Sequence, residues 1–446
     1  MDNQSGRFAS NAISIRLAIP MKSSFSSTFP RVFLVTFALF AGMIATACGA
    51  DWPAFRGPAG TGVADETDVP LHWSSEENVK WKSPLPGPGD SSPVVSGTRV
   101  FVTCATESGK RRGLYCFDRK NGEQLWSQIV EFDGEEPTHE TNPYCGSSPA
   151  ADGRRVVVWH GSAGLHCYDY DGRPLWSRDL GSFRHIWGHG SSPVFYGDRI
   201  LLNCGPGKRT FITAIDAANG QTIWQTDEPG GDDGQDRPGQ KPVWVGSWST
   251  PVVTQVDGRD QIIVSLPHRV QAYNPDKGQI IWSCGGLGDL VYTSVVVGDG
   301  VGAALGGFYG PAIGFKLGGS GDMTEQNRLW RLADKNPQRI GSGVILKGYL
   351  YLIDEPGQME CIDIKTGQAT WKGRLGADKV WASIVAAADR LYVTSQAGTT
   401  YVVGANPEQF ELVAKNELGE PSNSTIAISD GQIFLRTFDS LVCVEQ

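Results

Sequence analysis

A Ser or Thr, a short apolar run, a Gly-Asp or Asp-Gly turn and an alternating apolar and polar stretch recur eight times along the chain. The copies start at Ser92, Ser148, Ser192, Thr250, Ser294, Ser342, Ser383 and Thr425. Successive starts lie 56, 44, 58, 44, 48, 41 and 42 residues apart. Period-two alternation puts one face of each strand in a core, and a period of ~40–50 residues is that of a four-stranded propeller blade. Two further strands follow in most copies, as in LYCFDRKNGEQLW to Trp126, LHCYDYDGRPLW to Trp176, ITAIDAANGQTIW to Trp224, VQAYNPDKGQIIW to Trp282 and MECIDIKTGQATW to Trp371. The Asn-Gly or Asp-Gly type of turn inside each is a strong hairpin signal. Trp330 closes a degenerate fifth copy, and Phe410 is expected to replace Trp in the seventh.

The eighth copy ends at Gln446 after three strands, whereas residues 78–85, with Trp81, read as a fourth strand that precedes the first copy. Pairing the two ends closes a ring and removes a bare sheet edge. The expected fold is therefore all-β: an eight-bladed propeller of four-stranded antiparallel blades over residues 51–446, closed by an N-terminal strand.

Composition agrees with many short strands and tight turns, with Gly 56, Pro 26 and Trp 14. The first fifty residues differ. Lys22 and Arg31 precede an apolar run of 13 residues, Val32–Ile44, and then small residues through Ala50. This is the pattern of a secretory leader, too short to span a bilayer as a helix. Cleavage after Ala50 would leave a periplasmic or extracellular protein with no transmembrane segment. Lipid anchoring at Cys48 is disfavoured, because Ala45 stands where a large aliphatic residue belongs. Removing residues 1–50 takes away Arg7, Arg16, Lys22, Arg31 and Asp2 and moves the formal charge from −9 to −12. That balance argues against a nucleic-acid partner.

The strands ending in Trp resemble the tryptophan-docking motif of the pyrroloquinoline-quinone repeat propellers: a small residue, any residue, Asp, then Gly and Trp. Ala214-Ile215-Asp216 with Gly220 and Trp224, and Cys361-Ile362-Asp363 with Gly367 and Trp371, carry it most clearly. The opening Asp51-Trp52-Pro53-Ala54-Phe55-Arg56-Gly57 resembles the start of secreted members. The resemblance implies that each Trp packs between neighbouring blades. It also implies two kinds of activity: a non-catalytic scaffold working through protein partners, like an outer-membrane assembly lipoprotein, or a quinoprotein dehydrogenase holding pyrroloquinoline quinone and calcium. The adjacent Cys-Cys pair usual beneath that quinone is missing.

Most of the nine cysteines have a place in the repeat. Cys116, Cys167, Cys361 and Cys443 occupy the position of Ala214 and Ala272, and Cys104 and Cys204 share another, so small buried residues are expected. No CxxC or HExxH supports a metal site. Gly205-Pro206-Gly207-Lys208-Arg209 lacks the Ser or Thr of a phosphate loop, and Asp232-Asp233-Gly234-Gln235-Asp236 lacks calcium-loop spacing. No catalytic residue is singled out.

The segments leading into the first strands are where propeller loops converge on the channel. There the sequence offers His139, Asn142 and Tyr144, then His185, Trp187 and His189, then Trp244 and Trp248, then Arg339 and Trp381. Trp and His converging on one mouth suit a protein, small-molecule or carbohydrate ligand. Aromatics that merely plug the channel are the structural alternative. The favoured reading is a non-catalytic binding or scaffold module, with the quinoprotein dehydrogenase as alternative and a carbohydrate-binding propeller as a further one.

Overall fold

The computed structural model describes residues 50–446 except 236 and 333–335; the expected leader and Cys48 lie outside the described residues. Each repeat folds as an antiparallel sheet. Blade 1 consists of Val94–Ser96, Arg99–Thr106, Arg111–Asp118 and Gln124–Glu131, in that order from the channel outward. Blades 2 to 7 repeat the order. Blade 8 takes its inner three strands, Ala427–Ser429, Gln432–Arg436 and Ser440–Glu445, from the C-terminus and its outer strand, Val79–Pro84, from the N-terminal side. Lys82 pairs with Val442 and Trp81 with Cys443, so eight blades close the ring.

Blade 4 departs from four strands. Gly321–Asp322, from the long turn within blade 5, adds in parallel to the outer strand Ile280–Gly285, pairing Trp282 with Gly321. Helix among the described residues is confined to Thr324–Asn327 and two 3-10 turns. Apolar clusters lie at the blade junctions; the largest joins blades 7, 8 and 1 around Trp52, Trp73 and Trp81.

The register explains the motif. Opposite Trp126, Trp176, Trp224, Trp282, Trp330, Trp371 and Trp81 stand Cys116, Cys167, Ala214, Ala272, Gly314, Cys361 and Cys443. The cysteines are thus small neighbours of a large indole, and all eight that are described are free and buried. Each indole also reaches the next blade. Trp176 Nε1 donates to the Ala217 carbonyl at 2.9 Å and Trp224 Nε1 to that of Pro275 at 2.9 Å. The turn receiving them is tied by its Asp or Asn: Asp216 accepts from the amides of Ala218 and Asn219.

The motif glycine lies under the preceding blade's indole. A Cβ on Gly220 would fall 2.7 Å from the Trp176 ring, and its φ of +73° already favours glycine. Trp282 is the exception, bonding instead to Gln261 of its own blade at 2.8 Å. Trp126 and Trp176 are half-buried, the others buried. In blade 7 the Trp position is held by Ala414, opposite Val402. Phe410 lies before that strand and packs on Trp371, 5.5 Å between centroids. The expected Trp-to-Phe replacement is therefore displaced by four residues, because the blade-7 hairpin is longer.

The N-terminal segment crosses the channel. Asp51 accepts from Ser96 Oγ and the Gly97 amide, both at 2.8 Å, and Trp52 pairs with Val95 of blade 1. The Ala151 amide of blade 2 donates to the Pro53 carbonyl. Arg56, fully buried, donates to the carbonyls of Thr61 and, in blade 6, Gly343 at 2.6 Å. Gly62 and Ala64 then bond Ala386 of blade 7.

Candidate functional site

The repeat-start hydroxyls form a hub. The amide of Ser92 donates to Ser148 Oγ, Ser148 to Ser192, Ser192 to Thr250, Thr250 to Ser294, Ser294 to Ser342, Ser342 to Ser383 and Ser383 to Thr425, all at 2.9–3.0 Å. Between the last and first blades, Ser424 Oγ donates to the Ser91 carbonyl at 3.1 Å instead. Blades 1 to 7 each thereby satisfy one inward-facing amide with the next blade's hydroxyl, and the Ser424 bond completes the ring around the channel.

Above this ring lies a cavity of about 420 Å³. The residue two positions before every repeat start lines it: Asp90, Gly146, Gly190, Trp248, Tyr292, Ile340, Trp381 and Asn423. The ring is lopsided. Blades 8 and 1 contribute Asn423 and Asp90, and blades 4 and 5 contribute Trp248 and Tyr292. The glycines of blades 2 and 3 leave room for Asn142 and Trp187 from their longer approach segments, and Asn142 Nδ2 donates to the Trp187 carbonyl at 2.6 Å. Phe55, from the crossing N-terminal segment, also lines the cavity. Because that segment bonds to strand residues past the hydroxyl ring, it closes the channel on the far side.

Five of the ten sequence-derived candidates line this cavity: His139, Asn142, Trp187, Trp248 and Trp381. Trp244 stands outside it on an aromatic lip, 5.5 Å from the Trp187 ring and 37% exposed. Phe308 continues the lip at 6.3 Å from Trp187. The other four turn into the walls, His185, His189 and Arg339 buried and Tyr144 half-buried. His185 lies edge-on to Trp248 at 5.0 Å, and burial pushes its imidazole down to about 4 against the pull of Asp233 and Asp232. Arg339 pairs with Glu360 at 3.1 Å. Tyr144 packs on Arg112 and donates to the Glu136 carbonyl.

His189 joins a buried ion cluster. Its Nδ1 and the Arg112 guanidinium each lie 3.1 Å from Glu136 Oε1, and the Ser162 amide donates to Oε2 at 2.7 Å. Burial would raise the Glu136 carboxyl, but His189 and Arg112 outweigh it and hold it at about 2.

Sequence reasoning passed over Asp90, Gln338, Glu355, Lys379 and Phe308 in the lining. A signal for Asp90 was present in the fixed offset of two residues before the repeat start. Glu355 and Phe308 come from turns beyond the second strands, where no repeat signal exists. Asp90 is half-buried with its Oδ1 covered and without a partner. Burial raises its carboxyl to about 7, with Arg436 and Asn423 pulling the other way. Trp381 Nε1 is likewise covered and unpartnered. Lys379 lies 2.8 Å from Glu355.

A family model described as outer membrane protein assembly factor BamB matches residues 110–373, more than half of the sequence. The chain belongs to that family. Its repeat is thus the pyrroloquinoline-quinone-like one. BamB from Moraxella catarrhalis shares the fold at a TM-score of 0.55 and 14% identity, covering 81% of this chain and 98% of that one. Quinohemoprotein alcohol dehydrogenase from Comamonas testosteroni gives 0.61 at 12% identity, covering 89% and 80%. The computationally designed Ika8 protein gives 0.53 at 12% identity, covering 83% and 100%. At such identities the likeness is one of fold alone. A search of curated proteins returns no match.

For this BamB-family chain, fit to the dehydrogenases' cofactor can be judged from its donors. Among the described residues no three His, Cys, Asp or Glu side chains group to hold a metal ion. Among the described residues that line the cavity, Lys379 is the one lysine or arginine, and Glu355 faces it. This donor set does not fit calcium with a quinone bearing three carboxylates.

Proposed function

We propose that the protein is an exported, non-catalytic binding module that receives its ligand in the cavity above the hydroxyl ring. The observation that carries this reading is the lopsided lining at one repeat position, aromatic at blades 4 and 5 and polar at blades 8 and 1. A cavity with apolar walls and a few convergent polar groups is the usual form of a small-molecule site. The lip of Trp244 and Phe308 extends it with exposed apolar surface of the kind that also meets proteins. The family's description as an assembly factor supports a scaffold role of the same kind. Export is supported by the leader pattern and by Asp51, whose carboxylate ties the chain to blade 1 directly after the proposed cleavage point.

The test is a thermal-shift screen of the exported chain with a chemically varied small-molecule library, run beside a dye-linked alcohol oxidation assay after addition of pyrroloquinoline quinone and calcium. Ligands are expected to raise the Tm of the parent but not of Trp187→Ala, with no dye reduction. Turnover of alcohol would overturn the reading.

A further inference from the structure

The cavity's wall chemistry narrows the class of ligand. We propose that the cavity binds an uncharged saccharide, one sugar ring stacked on Trp187 and Trp248 and its hydroxyls held by Asp90, Asn423 and Gln338. The inference rests on the binding-module reading above.

Its first support is the pairing of surfaces. Trp187, Trp248 and Tyr292 form one continuous aromatic wall, with ring centroids 5.2–6.2 Å apart. Phe308, 41% exposed, extends it toward solvent. The polar groups come from blades 8, 1 and 6. A pyranose has the matching anisotropy: a C–H face that stacks on indole and an edge of hydroxyls. A wholly apolar ligand would leave Asp90 and Gln338 stripped of water without partners, which is costly.

The second support is the pair of orphaned atoms. Asp90 Oδ1 is an acceptor and Trp381 Nε1 is a donor, both covered and both unpartnered. Both residues line the cavity, and a polyhydroxylated ligand, whose hydroxyls donate and accept, offers partners of both types there.

Charge supplies the third. Glu355 is answered by Lys379 at 2.8 Å, and the field of the buried Arg436 acts on Asp90. Glu355 and Lys379 thus satisfy each other, so neither a ligand cation nor a ligand anion gains a free counter-charge at that pair. The volume of about 420 Å³ leaves room for roughly two linked sugar rings.

Calorimetry and tryptophan fluorescence on the exported chain test this with cellobiose, maltose and N,N′-diacetylchitobiose, and with choline and cellobiouronic acid as charged comparisons. At least one neutral disaccharide is expected to bind saturably and to quench fluorescence. Trp187→Ala and Asp90→Asn should each weaken it by about tenfold. Phe308→Ala, at an exposed position where folding is not at stake, should also weaken it. Tighter binding of choline or cellobiouronic acid than of every neutral disaccharide would overturn the saccharide assignment. Failure of all disaccharides, while library compounds still raise Tm, would overturn it and leave the binding reading standing; failure of every compound would remove both.

Discussion

Trp81 lies directly opposite Cys443, joining the outer strand of the last blade to a residue three places from the C-terminus. The Trp81 indole then crosses to blade 1, donating to the Arg119 carbonyl at 2.9 Å. One side chain thus ties the two ends of the folded chain and the seam between the last and first blades.

Trp81→Ala is expected to cost about 3–5 kcal/mol in denaturant unfolding, since it empties a buried site at the seam. Cys443→Leu should cost about 1–3 kcal/mol by crowding the indole. Because the residues touch, the double variant should be less damaging than the sum. Strict additivity would show that the seam does not depend on this pair.

Glycines 220 and 197 separate docking from backbone conformation. Both have positive φ, +73° and +55°, but only Gly220 faces an indole; nothing lies within 4 Å of a Cβ on Gly197. Gly197→Ala should cost about 1–2 kcal/mol from conformation. Gly220→Ala should exceed it by ~1–3 kcal/mol, because Trp176 must shift. Equal losses would mean that the motif glycine serves the turn alone.

Acid should weaken the fold through Glu136. Its carboxyl sits at about 2 in the folded protein, below the ordinary ~4.3 of an unfolded chain. The depressed value means stability that is complete above ~4.5 and lost as pH falls toward 2, on the order of 3 kcal/mol. Glu136→Gln should flatten that part of the pH profile while lowering stability at neutral pH, since Arg112 then keeps its buried charge without a carboxylate. An unchanged acid limb in the variant would remove Glu136 as its source.

Asp90 should act with the opposite sign. Its folded value of about 7 exceeds that of the unfolded chain, so the folded state holds a proton that the unfolded state releases. Stability attributable to Asp90 therefore falls as pH rises from ~4 to 7 and is level above that. Asp90→Asn should match the parent near pH 4 and be more stable than it at pH 8. Such a gain would mark Asp90 as a residue kept for something other than stability. A variant less stable at pH 8 would contradict the assignment.

The sequence by itself determined the blade number, the strand order and the closure of the ring. Those properties follow from local periodicity: Ser or Thr, alternation and a turn recur eight times, most copies ending in Gly and Trp, and a spare strand before the first copy with a strand missing from the last leaves one way to close. The role of Cys443 or Cys116 as a small residue was legible for the same reason. The tertiary structure decided which side chains share the cavity. Tyr144, His185, His189 and Arg339 lie on the same approach segments as Asn142, Trp187 and Gln338, yet turn into the walls to meet Arg112, Trp248, Glu136 and Glu360. Loop side chains choose between wall and cavity by the partners that neighbouring blades offer, and those partners are tens of residues away. The closed base has the same origin: Arg56 finds its place only when Gly343, 287 residues later, supplies the carbonyl that receives it.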